Sequence, residues 1–172
     1  KCVFNHSKVA IVVHAQHEDT KIVLENCIFR HHNHCAVLVE GGEVTMLDCT
    51  VQSVGIGVVV KRNGLADLRD SKFQTCVGGV LVPNHGRALV DGCSFRHVSD
   101  FCCLASNGST LLMTTTSMAS NTGDGVLIEG GEGTNVSILD CSVVECRFGV
   151  RIGNGSVEVK MKNVSVNKAS FA

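Results

Sequence analysis

A beat of 22 residues runs through this chain and constrains its fold more than any other feature. Four successive stretches, Lys21–Gly42, Glu43–Gly64, Leu65–Gly86 and Arg87–Gly108, align without a gap, and each closes on a glycine. A fixed period of this length means a solenoid. Each repeat stacks on its neighbours because it cannot bury its own apolar face alone.

Within a repeat the first segment alternates: Ile22 and Leu24, Val44 and Met46, Ala66 and Leu68, Ala88 and Val90. Alternation of that kind reads as a half-buried strand. Asn26, Asp48, Asp70 or Gly92 follows, residues that tolerate a left-handed backbone and suit a corner. Next comes a slot holding Cys27, Cys49, Ser71 or Cys93, and two residues later Phe29, Val51, Phe73 or Phe95 begins a second short strand. A third apolar run closes the unit: Ala36–Val39, Gly57–Val60, Gly79–Val82. Three short strands and three bends per repeat make one coil of a parallel β-helix. The chain before Lys21 and after Gly108 fits the same pattern, with extra residues around Gly130–Thr134. The expectation is an all-β solenoid of about seven coils forming one domain over residues 1–172. The sequence opens on Lys1 and neither end reads as a cap. Flanking segments of a longer chain, or a partner, are therefore expected to cover the terminal coils.

Composition supports strand chemistry and excludes several functions. The chain has no Trp or Tyr, one Pro and 18 Gly. With 15 basic and 16 acidic residues, it offers no electrostatic footprint for nucleic acid or an anionic membrane surface. No apolar stretch reaches the roughly 20 residues of a membrane-spanning helix. The ten cysteines include a column at one repeat position, Cys2, Cys27, Cys49, Cys93 and Cys141, with Ser71 and Thr116 as substitutes. This reads as a reduced, inward ladder of small apolar groups in an intracellular protein. Asn-x-Ser/Thr sequons at Asn5, Asn107, Asn135, Asn154 and Asn163 point the other way, to a secreted protein with glycans.

Chemistry-bearing residues are sparse. Asp48, Asp70 and Asp140 share a corner position with Asn26, Gly92 and Asn163, so backbone geometry explains them. His6, His31 and His97 fall in one column, but Ser53, Thr75 and Ser120 interrupt it, which argues against a zinc site. His31, His32 and His34 read as exposed polar residues in a bend. Cys76, Cys102 and Cys103 read as packing. Gly123-Asp-Gly125 and Gly130–Gly133 lack the Lys-Ser/Thr of a phosphate loop. No catalytic, cofactor-binding or metal-ligating residue is expected. The expected contact residues for a protein partner are Gly130, Gly131, Glu132, Gly133 and Thr134, where the rhythm breaks, and His31, His32 and His34.

The runs GVLV and ALVDGCSF, with Gly55-Ile-Gly57-Val-Val-Val60, resemble the right-handed parallel β-helix repeat family over nearly the whole chain. Short uniform coils with Cys after Asn or Asp are most similar to its eukaryotic non-enzymatic branch. That branch includes β-helix domains of F-box proteins and of Shc-binding, spindle- and cilium-associated proteins. The resemblance implies a cytoplasmic, cytoskeletal or ciliary scaffold that binds other proteins without a cofactor. The alternative is a secreted carbohydrate-active β-helix, a polysaccharide lyase, hydrolase or glycan-binding module.

Overall fold

The computed structural model describes residues 2–14 and 20–168 and the backbone of 170–171. Lys1 and Ala172, the ends at which caps are expected, lie outside the described residues. Three strands recur in every coil, and each kind stacks into its own parallel sheet. Sheet A begins with β1 (Val3–Asn5), sheet B with β2 (Val9–His14) and sheet C with β3 (Lys21–Glu25). Every third strand thereafter joins the same sheet, giving eight, eight and seven strands respectively. The register advances by the sequence period: Lys21 pairs with Glu43, which pairs with Leu65, which pairs with Arg87. The later coils lengthen, so that Thr110 pairs with Asn135. The expected architecture is the observed one.

Two of the three bends in each coil are built alike. The first places Asn26, Asp48, Asp70, Gly92, Thr115, Asp140 and Asn163 at φ between 48° and 60°. The second does the same with His6, His31, Ser53, Thr75, His97, Ser120, Glu145 and Lys168, at φ between 53° and 59°. A left-handed residue turns the chain sharply, so that the next side chain points inward. After the first bend that slot holds Cys27, Cys49, Ser71, Cys93, Thr116 and Cys141, all buried. Cys2, expected in the same inward column, is instead exposed and Val164 is half-buried, since each sits in a terminal coil. After the second bend it holds His32, Val54, Cys76, Val98, Asn121 and Cys146, again all buried, with exposed Ser7 in the first coil.

The first slot is more than small apolar filling. Its thiols and hydroxyls donate to the carbonyl two residues back: Cys27 to Glu25 at 3.4 Å, Ser71 to Arg69 at 3.0 Å, Thr116 to Thr114 at 2.9 Å, Cys141 to Leu139 at 3.2 Å. Several also reach the coil before, as Cys49 does to Leu24 at 3.3 Å and Cys93 to Leu68 at 3.5 Å. Cys, Ser and Thr alternate there because each supplies a short donor at a place that needs one.

Burial pushes the Cys93 thiol up to about 12 and the Cys76 thiol up to about 11. The thiolate is the reactive form, so at pH 8 the Cys93 shift alone lowers its reactive fraction roughly a thousandfold. Iodoacetamide at pH 8 is therefore expected to modify exposed Cys2 of the folded chain while Cys49 and Cys93 stay free, read by peptide mass mapping. Equal labelling of Cys93 and Cys2 would mean that the slot does not face inward. Cys146 differs, because the Cys102 thiol and the Asn121 amide both hydrogen-bond to its sulfur and hold its pKa at about 7.

The core is a set of columns running along the rod. Sheet A contributes Phe29, Val51, Phe73, Phe95, Met118 and Val143, all fully buried. The Phe73 and Phe95 rings stack at 4.7 Å, and Phe4 stacks on Phe29 at 4.8 Å. Facing glycines in sheet B make room for these rings. A Cβ on Gly57 would lie 2.6 Å from Phe73, and one on Gly79 would lie 2.6 Å from Phe95.

Candidate protein-interaction face

Sheet B differs from a strand with one solvated face. Its strands β5 (Cys35–Glu40), β8 (Ile56–Lys61), β11 (Gly78–Val82), β14 (Phe101–Ser106) and β17 (Asp124–Glu129) are almost continuous apolar runs. An irregularity near the start of each strand turns two successive residues inward, such as Ala36 with Val37 and Cys102 with Cys103. The outward positions then form three columns; the one at the strand ends holds Glu40 with Lys61 and Ser106 with Glu129, and the other two are mostly apolar. One runs Cys35, Ile56, Gly78, Phe101, Asp124. The other runs Val12, Leu38, Val59, Leu81, Leu104, Leu127 and ends at Arg151 of β20 (Phe148–Ile152).

Phe101, Leu104 and Leu127, only 6–8% exposed, form a second buried apolar cluster separate from the main core, with the partly buried Ile56 and Leu81 against them. The Phe101 ring lies over Gly78, where a Cβ would come within 2.5 Å of it. The outer face of sheet A is polar by contrast. One of its two outward columns runs Ile28, Thr50, Lys72, Ser94, Ser117 and Ser142. Solvated sheet faces are ordinarily polar, and strands that are apolar on both sides are covered on both sides.

Charged groups close this face at both ends. At the first end Glu40 takes Lys61 at 2.6 Å, His14 at 3.1 Å and Arg62 at 3.8 Å. The bond from Lys61, followed by that from His14, holds the Glu40 carboxyl below the usual carboxylate range. At the other end Asp124 has no exposed side-chain surface and is clamped by Arg147 Nε at 2.9 Å and Arg151 Nη2 at 2.6 Å. Both guanidiniums lie 5.8 Å from the centre of the Phe148 ring. A carboxylate so covered is a strut, occupied twice over by cations. Glu129 lies in the same outward column as Ser106, is exposed, and makes no ion pair among the described residues.

The residues expected from sequence to contact a partner lie elsewhere, and two of them are not at the surface. His32 is 1% exposed, because His31 takes the left-handed bend and sends the next side chain inward, where its Nδ1 meets the Ser7 hydroxyl at 2.9 Å. His31 and His34 are exposed, and the His31 and His6 rings stand 5.0 Å apart. Thr134 is 1% exposed and accepts a hydrogen bond from the Gly108 amide at 3.0 Å. Gly130 and Gly131 are pressed between the corners of the adjacent coils, Gly130 against Asn154 and Gly131 against Asn107. The extra residues thus fill a seam between coils. Beside them Gly133, Thr134, Asn135, Ser156, Val157 and Glu158 line an open, largely polar depression of about 290 Å³. Among the described residues no group of three or more His, Cys, Asp or Glu is arranged to hold a metal ion. No helix there is long and apolar enough to cross a membrane.

A family model described as the right-handed beta helix region matches residues 35–172. The chain belongs to the right-handed β-helix family. No curated protein matches it in sequence. In this right-handed β-helix neither the Leu38–Leu127 column nor the Asp124 clamp is marked by a motif in the sequence. The usable signal was the third strand itself, whose unbroken apolar runs break the alternation seen in the first strand.

Proposed function

We propose that this β-helix is a non-catalytic scaffold that binds another protein through the outer face of sheet B, inside the cell. The observation that carries the reading is the outward apolar column Leu38, Val59, Leu81, Leu104 and Leu127, continuous over five coils. A solenoid face of this kind gains by being covered, and a flat row of aliphatic side chains suits a protein surface. A carbohydrate-active β-helix would instead need carboxylates free to act in a groove. The buried carboxylate on this face, Asp124, is held by two arginines. The intracellular location rests on the inward thiols, which donate to backbone carbonyls as a reduced ladder does.

A photo-crosslinking residue placed at Leu81, and separately at Ser94 on the outer face of sheet A, tests the reading in cells. Discrete protein adducts are expected from position 81 and none from position 94. Adducts at both positions, or at neither, would defeat the assignment of the face. Release of sugar products from a panel of polysaccharides by the purified chain would defeat the non-catalytic half.

A further inference from the structure

We propose that the occupant of the sheet B face is a second copy of this chain, docked with the rods antiparallel about a two-fold axis that lies along the strands between β11 and β14. The inference rests on the reading of sheet B as an interaction face and adds who covers it.

A two-fold axis in that direction keeps each outward column on itself and reverses the order of the coils. Leu81 then meets Leu104 of the second copy, Val59 meets Leu127, and the two Phe101 rings, each lying over its own Gly78, come together beside the axis. Aliphatic side chains thus face one another in the middle of the contact, while Ile56 faces the covered Asp124 and Leu38 faces Arg151 at its margins. The outermost column decides the orientation. Lys61 and Glu129 both belong to it, each two residues after a member of the aliphatic column, Val59 and Leu127, and Lys61 also holds Glu40 of its own chain. The antiparallel two-fold sets Lys61 opposite Glu129 of the second copy, twice per dimer. A two-fold along the rod instead keeps each coil on itself and exchanges the strand ends. It would set Glu129 against the doubly paired Asp124 and Lys61 against Ile56, so neither surface charge would gain a counter-charge from the second copy. Opposite charges facing each other select a docking geometry.

The size of the face fits a reversible pair. Strands of five or six residues over six coils cover on the order of 500–600 Å². Two copies together reach roughly 1,000–1,200 Å², the low end of specific interfaces. A concentration-dependent dimer in the micromolar range is expected.

Sedimentation equilibrium tests the proposal with four samples: the unmodified chain, Leu81→Glu, Lys61→Glu and Glu129→Lys. The unmodified chain is expected to show a monomer–dimer equilibrium, weakened at least about tenfold by Leu81→Glu. Each charge reversal alone places like charges opposite each other twice and is also expected to weaken the dimer about tenfold. An equimolar mixture of the two reversed chains restores both pairings and is expected to dimerise within about threefold of the unmodified chain. Thermal unfolding by circular dichroism checks that each variant folds. A reversal that does not fold is replaced by Lys61→Gln or Glu129→Gln, with a loss of about threefold expected. A mixture no tighter than its components overturns the docking geometry. A chain that stays monomeric to millimolar concentration overturns the second copy as occupant, and adducts at position 81 to other proteins would still stand for the face itself.

Discussion

Replacing Phe95 by alanine is expected to destabilise the chain by about 3–5 kcal/mol, the range for a fully buried aromatic ring whose cavity cannot collapse. The ring has no exposed surface, stacks on Phe73 at 4.7 Å and fills the space left by Gly79. Its neighbours are strands fixed in parallel register on both sides, so they have little freedom to move in. Each coil contacts its neighbours along the rod, and a gap in one coil weakens two interfaces. Urea denaturation followed by circular dichroism reads the loss as a shift in midpoint. A change below about 1 kcal/mol would mean that the ring is not a packed core element. Phe95→Leu should recover much of the loss, since it refills most of the volume.

The second large effect concerns Asp124. Removing both of its cations, with Arg147→Ala and Arg151→Ala, deprives a carboxylate of zero exposure in the intact chain of both its counter-charges. Breaking a buried pair in this way costs about 3–5 kcal/mol. Adding Asp124→Asn to the double variant removes the stranded charge and is expected to return at least about 2 kcal/mol. The reverse order should behave differently. Asp124→Asn alone leaves two arginines whose side chains are 50% and 37% exposed, and water can solvate them. It is therefore expected to cost less than the double arginine variant. The same denaturation series measures all four chains. If Asp124→Asn returns nothing to the double variant, the clamp is not what makes the arginines matter.

The parts of the fold that sequence made legible are those the repeat states several times over. Asn26, Asp48, Asp70 and Gly92 share a corner tolerance, and all four take the left-handed conformation expected of them. The inward column from Cys27 to Cys141 was legible because one residue type recurs at one position. The second bend was harder. His31, Ser53, Thr75, His97 and Ser120 have no common chemistry, so nothing in their identities marks a left-handed turn. Without that turn His32 reads as one more polar residue in a bend, when it is in fact buried. The outer face of sheet B was hidden for another reason. Apolar residues that face outward look the same in a sequence as those that face inward, and only the irregularity at Ala36 and Gly57 sets which is which. Asp124 and Arg147 are 23 residues apart, so their contact falls one residue outside the regular period.

The column of interior thiols has one more consequence. Cys27, Cys49, Cys93 and Cys141 stand at nearly equivalent positions in different coils, shielded in the same way by their own corners. Each can react with an alkylating reagent when its own coil opens, so the labelling rate of each reports the opening free energy of that coil. The molecule therefore carries a graduated scale along its axis. Pulsed alkylation, read peptide by peptide, would show whether the rod frays from one end, from both, or lets go all at once.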